Sequence, residues 1–178
     1  MELFNNELQK ILEKGSAAVI KQKDYSSITN IIFHMLEDKN MLVFTEAMRS
    51  VELLAKLDQM KSQAKTKQFI SVLAGKYGET KTAVIAATDK VFASLAKHAL
   101  TLSLFCDLTV NQIATSHKNP RVKQFLIQNA LSQLLSTLDM KELQAVFKVV
   151  NKALVQLILK DTNDAVRNAA VQVLVEFG

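Results

Sequence analysis

At 178 residues the chain is the size of one domain, long enough to bury roughly 70% of the surface it exposes when unfolded. Its residues are 49% hydrophobic with only four Gly and one Pro, and no alternating Val/Ile/Thr/Tyr run ends in a hairpin turn, which excludes a sheet and leaves nearly all helix. Lys and Arg outnumber Asp and Glu by 22 to 17, a balance of +5 that points to an acidic partner of some kind. The lone Cys106 forms no internal disulfide and no Asn-x-Ser/Thr acceptor occurs, as expected in a reducing compartment. No apolar run approaches the roughly 20 residues of a membrane span, and the amino terminus lacks the basic and apolar regions of a signal peptide. A soluble, cytosolic protein is expected.

Residues 2–13 read as one helix, with Phe4, Leu8, Ile11 and Leu12 on a stripe that stops at Gly15. It has no partner upstream and reads as the second half of a helix pair, or as a divergent cap, with Ala17 to Gln22 connecting it to the next helix. Ser26 or Ser27 then caps a helix carrying Ile28, Ile31, Ile32, Met35 and Leu36, which closes at Asp38-Lys-Asn40. A second helix from Leu42 turns Val43, Ala47, Val51, Leu54 and Ala55 inward. Between Lys56 and Lys67 the chain is polar and basic, the expected turn before Phe69, Val72, Leu73 and Tyr77 start a new helix. After Gly78 comes a helix with Val84, Ala87, Val91 and Leu95 on one side. Leu102, Phe105, Cys106 and Ile113 line the next, and Asn119-Pro120 opens its partner, proline suiting a first helical position because its missing N–H has no partner there. Ile127, Leu131, Leu134, Leu135 and Leu138 continue that helix. A long helix through Leu143, Val146, Phe147, Val150, Leu154, Leu157 and Ile158 precedes the final one, where Val166, Ala169, Ala170, Val173, Leu174 and Phe177 fall on one stripe.

Four short corners repeat one pattern: Asp38-Lys-Asn-Met-Leu-Val43, Glu79-Thr-Lys-Thr-Ala-Val84, His117-Lys-Asn-Pro-Arg-Val122 and Asp161-Thr-Asn-Asp-Ala-Val166. Their valines stand 41, 38 and 44 residues apart. A period near 40 with two helices per unit is the signature of HEAT or armadillo stacking, in which each pair needs a neighbour to cover its apolar face. The expected fold is an all-α HEAT-repeat solenoid of four complete helix pairs with a half-repeat at the start, forming one domain over residues 1–178. In such a stack the intra-repeat corners share one edge and the longer connections the other.

Chemistry-bearing motifs are poor. Gly75-Lys-Tyr-Gly78 matches no phosphate-binding loop and sits where a helix should end. His34, His98 and His117 lie in three different repeats with no Cys or carboxylate at ligand spacing, so no metal is expected. Cys106 sits at an inward position beside Phe105 and reads as an inert buried thiol. No cofactor and no catalytic residue are expected, and the chain reads as no enzyme. Nucleic acid is set aside because aromatics are only 6% and face inward, leaving no stacking platform.

The corners Asp38-Lys-Asn40, Thr80-Lys-Thr-Ala-Val84, His117-Lys-Asn-Pro-Arg-Val-Lys123 and Asp161-Thr-Asn-Asp-Ala-Val-Arg-Asn-Ala-Ala170 resemble, in this order and spacing, the intra-repeat loops of TOG domains. These are tubulin-binding HEAT domains of microtubule polymerases and CLASP-type factors. The Lys-Asn-Pro-x-Val-Lys element and the closing Asp-x-x-x-x-Val-Arg-x-Ala-Ala are the most specific parts, and residues 2–13 match the second helix of the family's first repeat. The resemblance implies a row of loops that grips a curved αβ-tubulin dimer, with Asn40 and Met41, Lys81 and Thr82, then Lys118, Asn119, Arg121 and Lys123, and finally Arg167 as the contacts. It also implies a monomeric domain of a larger protein at microtubule ends, the spindle or the centrosome. The family's first-repeat loop usually carries a tryptophan; that loop would precede residue 1, and this chain has no Trp. The competing expectation is a general HEAT or armadillo scaffold that takes a peptide or cargo on its second-helix faces.

Overall fold

A computed structural model of the chain describes residues 3, 5, 6, 9, 10, 22–56 and 63–177. Among these, all regular structure is helical, and from Gln22 onward it forms eight helices. Helix α1 is Gln22–Leu36, α2 Met41–Ala55, α3 Gln63–Lys76 and α4 Thr82–Ser94, prolonged by a π-type turn Leu95–Ala99. Helix α5 is Leu102–Cys106, continued by a π-type stretch Asp107–Ala114; α6 is Pro120–Phe125, continued through a π-type stretch Leu126–Leu131 into Ser132–Leu135. Helices α7 and α8 are Met140–Lys160 and Asp164–Glu176.

The contacts obey one rule. Each odd helix packs on the even helix after it, α1 on α3 on α5 on α7 forms one layer, and α2 on α4 on α6 on α8 forms the other. A two-layer stack of hairpins in chain order is what an α solenoid requires, since no hairpin alone covers its apolar face. The period is also written in the hydrogen bonds between neighbours: Asn129 to Asp89, Gln128 to Gln172, Ser132 to Glu176 and Asn111 to the Val149 carbonyl join residues 38 to 44 apart.

Local signals start and stop these helices where packing alone would not. Helix α7 opens with a capping box, the Asp139 carboxylate accepting from Glu142 N–H and the Glu142 carboxylate from Asp139 N–H. The Thr101 hydroxyl accepts from Leu104 N–H at the start of α5. Between the layers lies a continuous core whose largest fully buried side chains are Tyr77, Phe69, Phe92 and Phe105. Tyr77 stacks on Phe92 and Phe125 with centroids 5.5 and 5.6 Å away, and Phe92 meets Phe105 edge-on at 6.0 Å, so aromatic contact bridges the second and third hairpins.

Several expectations are corrected. Helix α1 begins at Gln22, about a turn before Ser26 and Ser27, because nothing between them breaks a helix; Ser26 offers its carbonyl to the Thr29 hydroxyl instead of capping. Ile31 is exposed although the apolar stripe predicts it inward. In α2 it is Phe44, not Val43, that is buried, and Val43 is half-buried. The basic stretch after Lys56 is shorter than expected, since α3 already starts at Gln63 and contains Lys65 and Lys67.

The stripe Phe4, Leu8, Ile11 and Leu12, the stop at Gly15 and most of the connection Ala17 to Gln22 lie outside the described residues. Residues 3, 5, 6, 9 and 10 are helical. The buried Asn5 donates to the Glu46 carbonyl and carboxylate at 3.1 and 2.6 Å and accepts from the Ser50 hydroxyl at 2.7 Å, while Arg49 donates to Gln9. Asn5 and Gln9 therefore lie against α2.

Candidate functional site

The four hairpin turns share one backbone form, and in three of them a three-residue Asx-type pattern of side-chain hydrogen bonds fixes it. Each second helix starts from an N-cap residue in extended conformation: Asn40 (φ −76°, ψ 116°), Lys81 (−74°, 118°), Asn119 (−84°, 116°) and Asn163 (−97°, 121°). The valine of each corner comes three residues later, so the spacing of the caps repeats the spacing of the valines. In three turns the cap side chain accepts from the second helical N–H: Asn40 from Leu42, Asn119 from Arg121 and Asn163 from Ala165, all at 2.9 to 3.0 Å. In the same three, the residue two before the cap accepts the cap's own N–H, through Asp38 at 2.7 Å, His117 Nδ1 at 3.1 Å and Asp161 at 3.0 Å. His117 thus replaces an aspartate as an acceptor, which requires the ring proton on Nε2. The second turn departs: Lys81 makes no side-chain cap bond.

Successive turns touch. A cavity of about 290 Å³ opens between the first and second, with Met41, Phe44 and Val84 on its walls and Lys39, Lys76 and Lys81 around it. Lys76 Nζ stands 5.6 Å from the Phe44 ring centre. Between the second and third, Gly78 comes so close to Asn119 that a Cβ there would meet Asn119 Nδ2 at 3.0 Å and the Gly75 carbonyl at 3.1 Å. The third is tied to the fourth by Lys123 Nζ on Asp161 Oδ2 at 2.7 Å, the two side chains being only 16% and 7% exposed. Asn40, Lys81, Asn119 and Arg167 therefore belong to one connected rim.

The structure divides the nine sequence-derived contacts into two kinds. Lys81, Thr82 and Lys118 are exposed, and Lys81 and Lys118 have no ion-pair partner among the described residues. Asn40 and Asn119 are exposed but their side-chain oxygens cap helices. Met41 packs half-buried on the core. Arg121 is half-buried with its guanidinium 5.2 Å from the Phe125 ring centre and its Nε buried without a hydrogen-bond acceptor. Lys123 is committed to Asp161. Arg167 folds back on its own turn, donating to the Asp161 carbonyl at 2.8 Å and pairing with Asp164.

Asp161 is the centre of the fourth turn. Burial pushes its carboxyl up, but the Lys123 ammonium, the Asn163 N–H and the Arg167 charge outweigh that and hold it below its ordinary value. Opposite charges one period apart, Lys123 and Asp161, were the available signal for this link. The walls supplied by Phe44 and Lys76 were not anticipated either; Phe44 stood beside the valine on which the repeats align.

Among the described residues no three His, Cys, Asp or Glu side chains gather as a metal site, and no helix is long and apolar enough to cross a membrane. No family model matches the sequence. The chain is similar to Centrosomal protein 224 of Dictyostelium discoideum, 25% identical over 160 residues, which is 89% of this chain and 8% of that protein. It thus spans less than a tenth of the length of the relative it matches.

Proposed function

We propose that the chain is a TOG-type HEAT-repeat module that binds αβ-tubulin through the row of hairpin turns, as one part of a larger microtubule-regulating protein. The observation that carries this reading is the contact in one rim of four turns with the same cap backbone conformation, with Lys39, Lys81, Thr82 and Lys118 left exposed. A regular row of rigid corners suits a repeating, curved protein surface, and preorganised turns lose little entropy on binding. The name of the similar centrosomal protein agrees with a place at centrosomes. Tubulin is acidic, so the rim lysines speed encounter and salt weakens it, the field being screened beyond roughly 8 Å at 0.15 M. One such module binds without polymerising.

The test is co-elution with tubulin on a sizing column at low salt, followed by charge reversal. Lys39→Glu with Lys118→Glu should weaken binding about tenfold, the equivalent of about 1.4 kcal/mol. Lys148→Glu with Lys152→Glu, on the exposed side of α7, should leave it unchanged. Arg121 is unsuited to the test because its half-buried stem also packs on Phe125. No shared peak at tens of micromolar (order of magnitude for a useful module), or equal loss in both double variants, would overturn the proposal.

A further inference from the structure

A second concavity lies away from the rim. It has a volume of about 740 Å³, within the range of ligand-binding clefts. Its long walls come from α4 and α6, and one end opens at the far-edge connections near Thr101 and Thr137, where Leu102 of α5 and Glu142 of α7 complete the lining. Small residues Ala93, Ala96 and Ala130 leave the space, while half-buried Leu100, Leu102 and Leu134 make it apolar. The π-type turns Leu95–Ala99 and Leu126–Leu131 flank it on both helices, and such turns widen a helix locally.

The charge in this groove is unevenly placed. At the mouth, Lys97 and Glu142 offset each other, and Glu142 is already engaged by Asp139 N–H. At the inner end stands Asp89 alone. Its carboxylate is fixed by the Tyr77 hydroxyl at 2.7 Å and by Asn129 Nδ2 at 3.2 and 3.0 Å. A carboxylate offers about four acceptor positions, so three donated contacts leave one for a group arriving through the groove. Stacking of a nucleobase is disfavoured because no aromatic side chain lines the walls.

We propose that this groove docks a short apolar segment of a partner protein, and that the segment carries a lysine or arginine whose cationic head reaches Asp89. The apolar walls take the aliphatic side chains and the stem of the basic residue, and the oriented carboxylate selects the charge. Tyr77 and Asn129 act as positioning residues for Asp89. This inference does not rest on the tubulin reading: the groove and the rim are separate surfaces, so both ligands can be held together.

The probe is the capped tripeptide acetyl-Leu-Leu-Arg-amide, titrated into the ¹⁵N-labelled 178-residue chain and followed by amide shifts. Acetyl-Leu-Leu-Glu-amide is the matched control. Saturable shifts confined to the residues that line the groove are expected with a Kd on the order of 1 mM, and none with the glutamate peptide. Asp89→Asn, which keeps an oxygen to accept from Tyr77, should weaken the arginine peptide about tenfold, the worth of a hydrogen bond to a charged group. Ala93→Trp places a large side chain at an exposed wall position and should abolish binding while the spectrum stays that of the folded chain. Absence of saturable shifts, equal response to both peptides, or indifference to Ala93→Trp each overturns the proposal. Tubulin co-elution should be unchanged in both variants, so failure here and failure of the rim reading are told apart.

Discussion

Lys123 illustrates how a basic residue in the rim can act on stability instead of on a partner. Its ammonium sits 2.7 Å from Asp161, and the pair is mostly covered, at 16% and 7% exposure. Exposed pairs contribute about 0 to 1 kcal/mol, whereas removing one partner of a fully buried pair costs about 3 to 5. Lys123→Met keeps the aliphatic stem and leaves a carboxylate that still accepts from Asn163 N–H, so about 2 kcal/mol is expected, or about 4 to 8 °C in Tm. Asp161→Asn keeps the turn acceptor and strands a lysine that can reach water, costing about 1 kcal/mol. Urea unfolding of the two single variants and the double variant at pH 7 gives the coupling, expected near 1 kcal/mol.

The pH dependence has a definite sign. The folded Asp161 pKa is depressed, so the pair's stabilisation is present above the unfolded carboxyl value, about 3.9, and is lost as pH falls through the lower folded value. Parent and Asp161→Asn should therefore converge in stability under acid. A Lys123→Met variant within about 0.5 kcal/mol of the parent, with no coupling, would refute the assignment of this pair as the tie between the third and fourth hairpins. Under conditions where both remain folded, Lys123→Met should bind tubulin within about threefold of the parent.

Three further outcomes are expected. Lys81→Asn supplies the missing cap of α4 and should raise stability by about 1 kcal/mol in urea unfolding, while removal of an exposed rim charge lowers tubulin affinity; a fall in both would contradict the capping argument. Gly78→Ala forces the Asn119 amide and the Gly75 carbonyl to give way, costing about 1 kcal/mol, and the Asn119 side-chain NMR signal should move with it. Burial pushes the Cys106 thiol up to about 12, so it stays protonated at pH 8 and should resist iodoacetamide in the folded chain yet react in urea; rapid labelling of the folded chain would place it at the surface.

The periodic features were legible because they are local. Asp38-Lys-Asn40, His117-Lys-Asn119 and Asp161-Thr-Asn163 carry their own turn chemistry, and the apolar stripes after each cap fix which side of the helix turns inward. What escaped depends on neighbours. Val43 stands at the same distance from its cap as Val84, Val122 and Val166, yet Phe44 takes the buried place beside it because the larger ring fills the space against Lys76. The π-type turns in α4, α5 and α6 have no signature of their own; each shifts the register of its own helix, over Leu95–Ala99, Asp107–Ala114 and Leu126–Leu131. The groove around Asp89 results from that shift and from three alanines that look like ordinary helix filler.

The charge of the rim also differs from what counting basic residues implies. Each turn joins the C-terminus of one helix to the N-terminus of the next, so their dipoles, roughly half a charge of opposite sign, cancel and leave the side chains to set the field. In the first two turns Lys39 and Lys81 face Glu37, Asp38 and Glu79; in the fourth, Arg167 and Lys123 are taken up by Asp164 and Asp161. Positive charge without a nearby offset collects at the third turn, on Lys118 and Arg121. Long-range steering of an acidic protein would thus be concentrated there. The remaining turns contribute through shape, because three Asx caps and one bare cap hold their corners in nearly the same backbone conformation at intervals of one repeat.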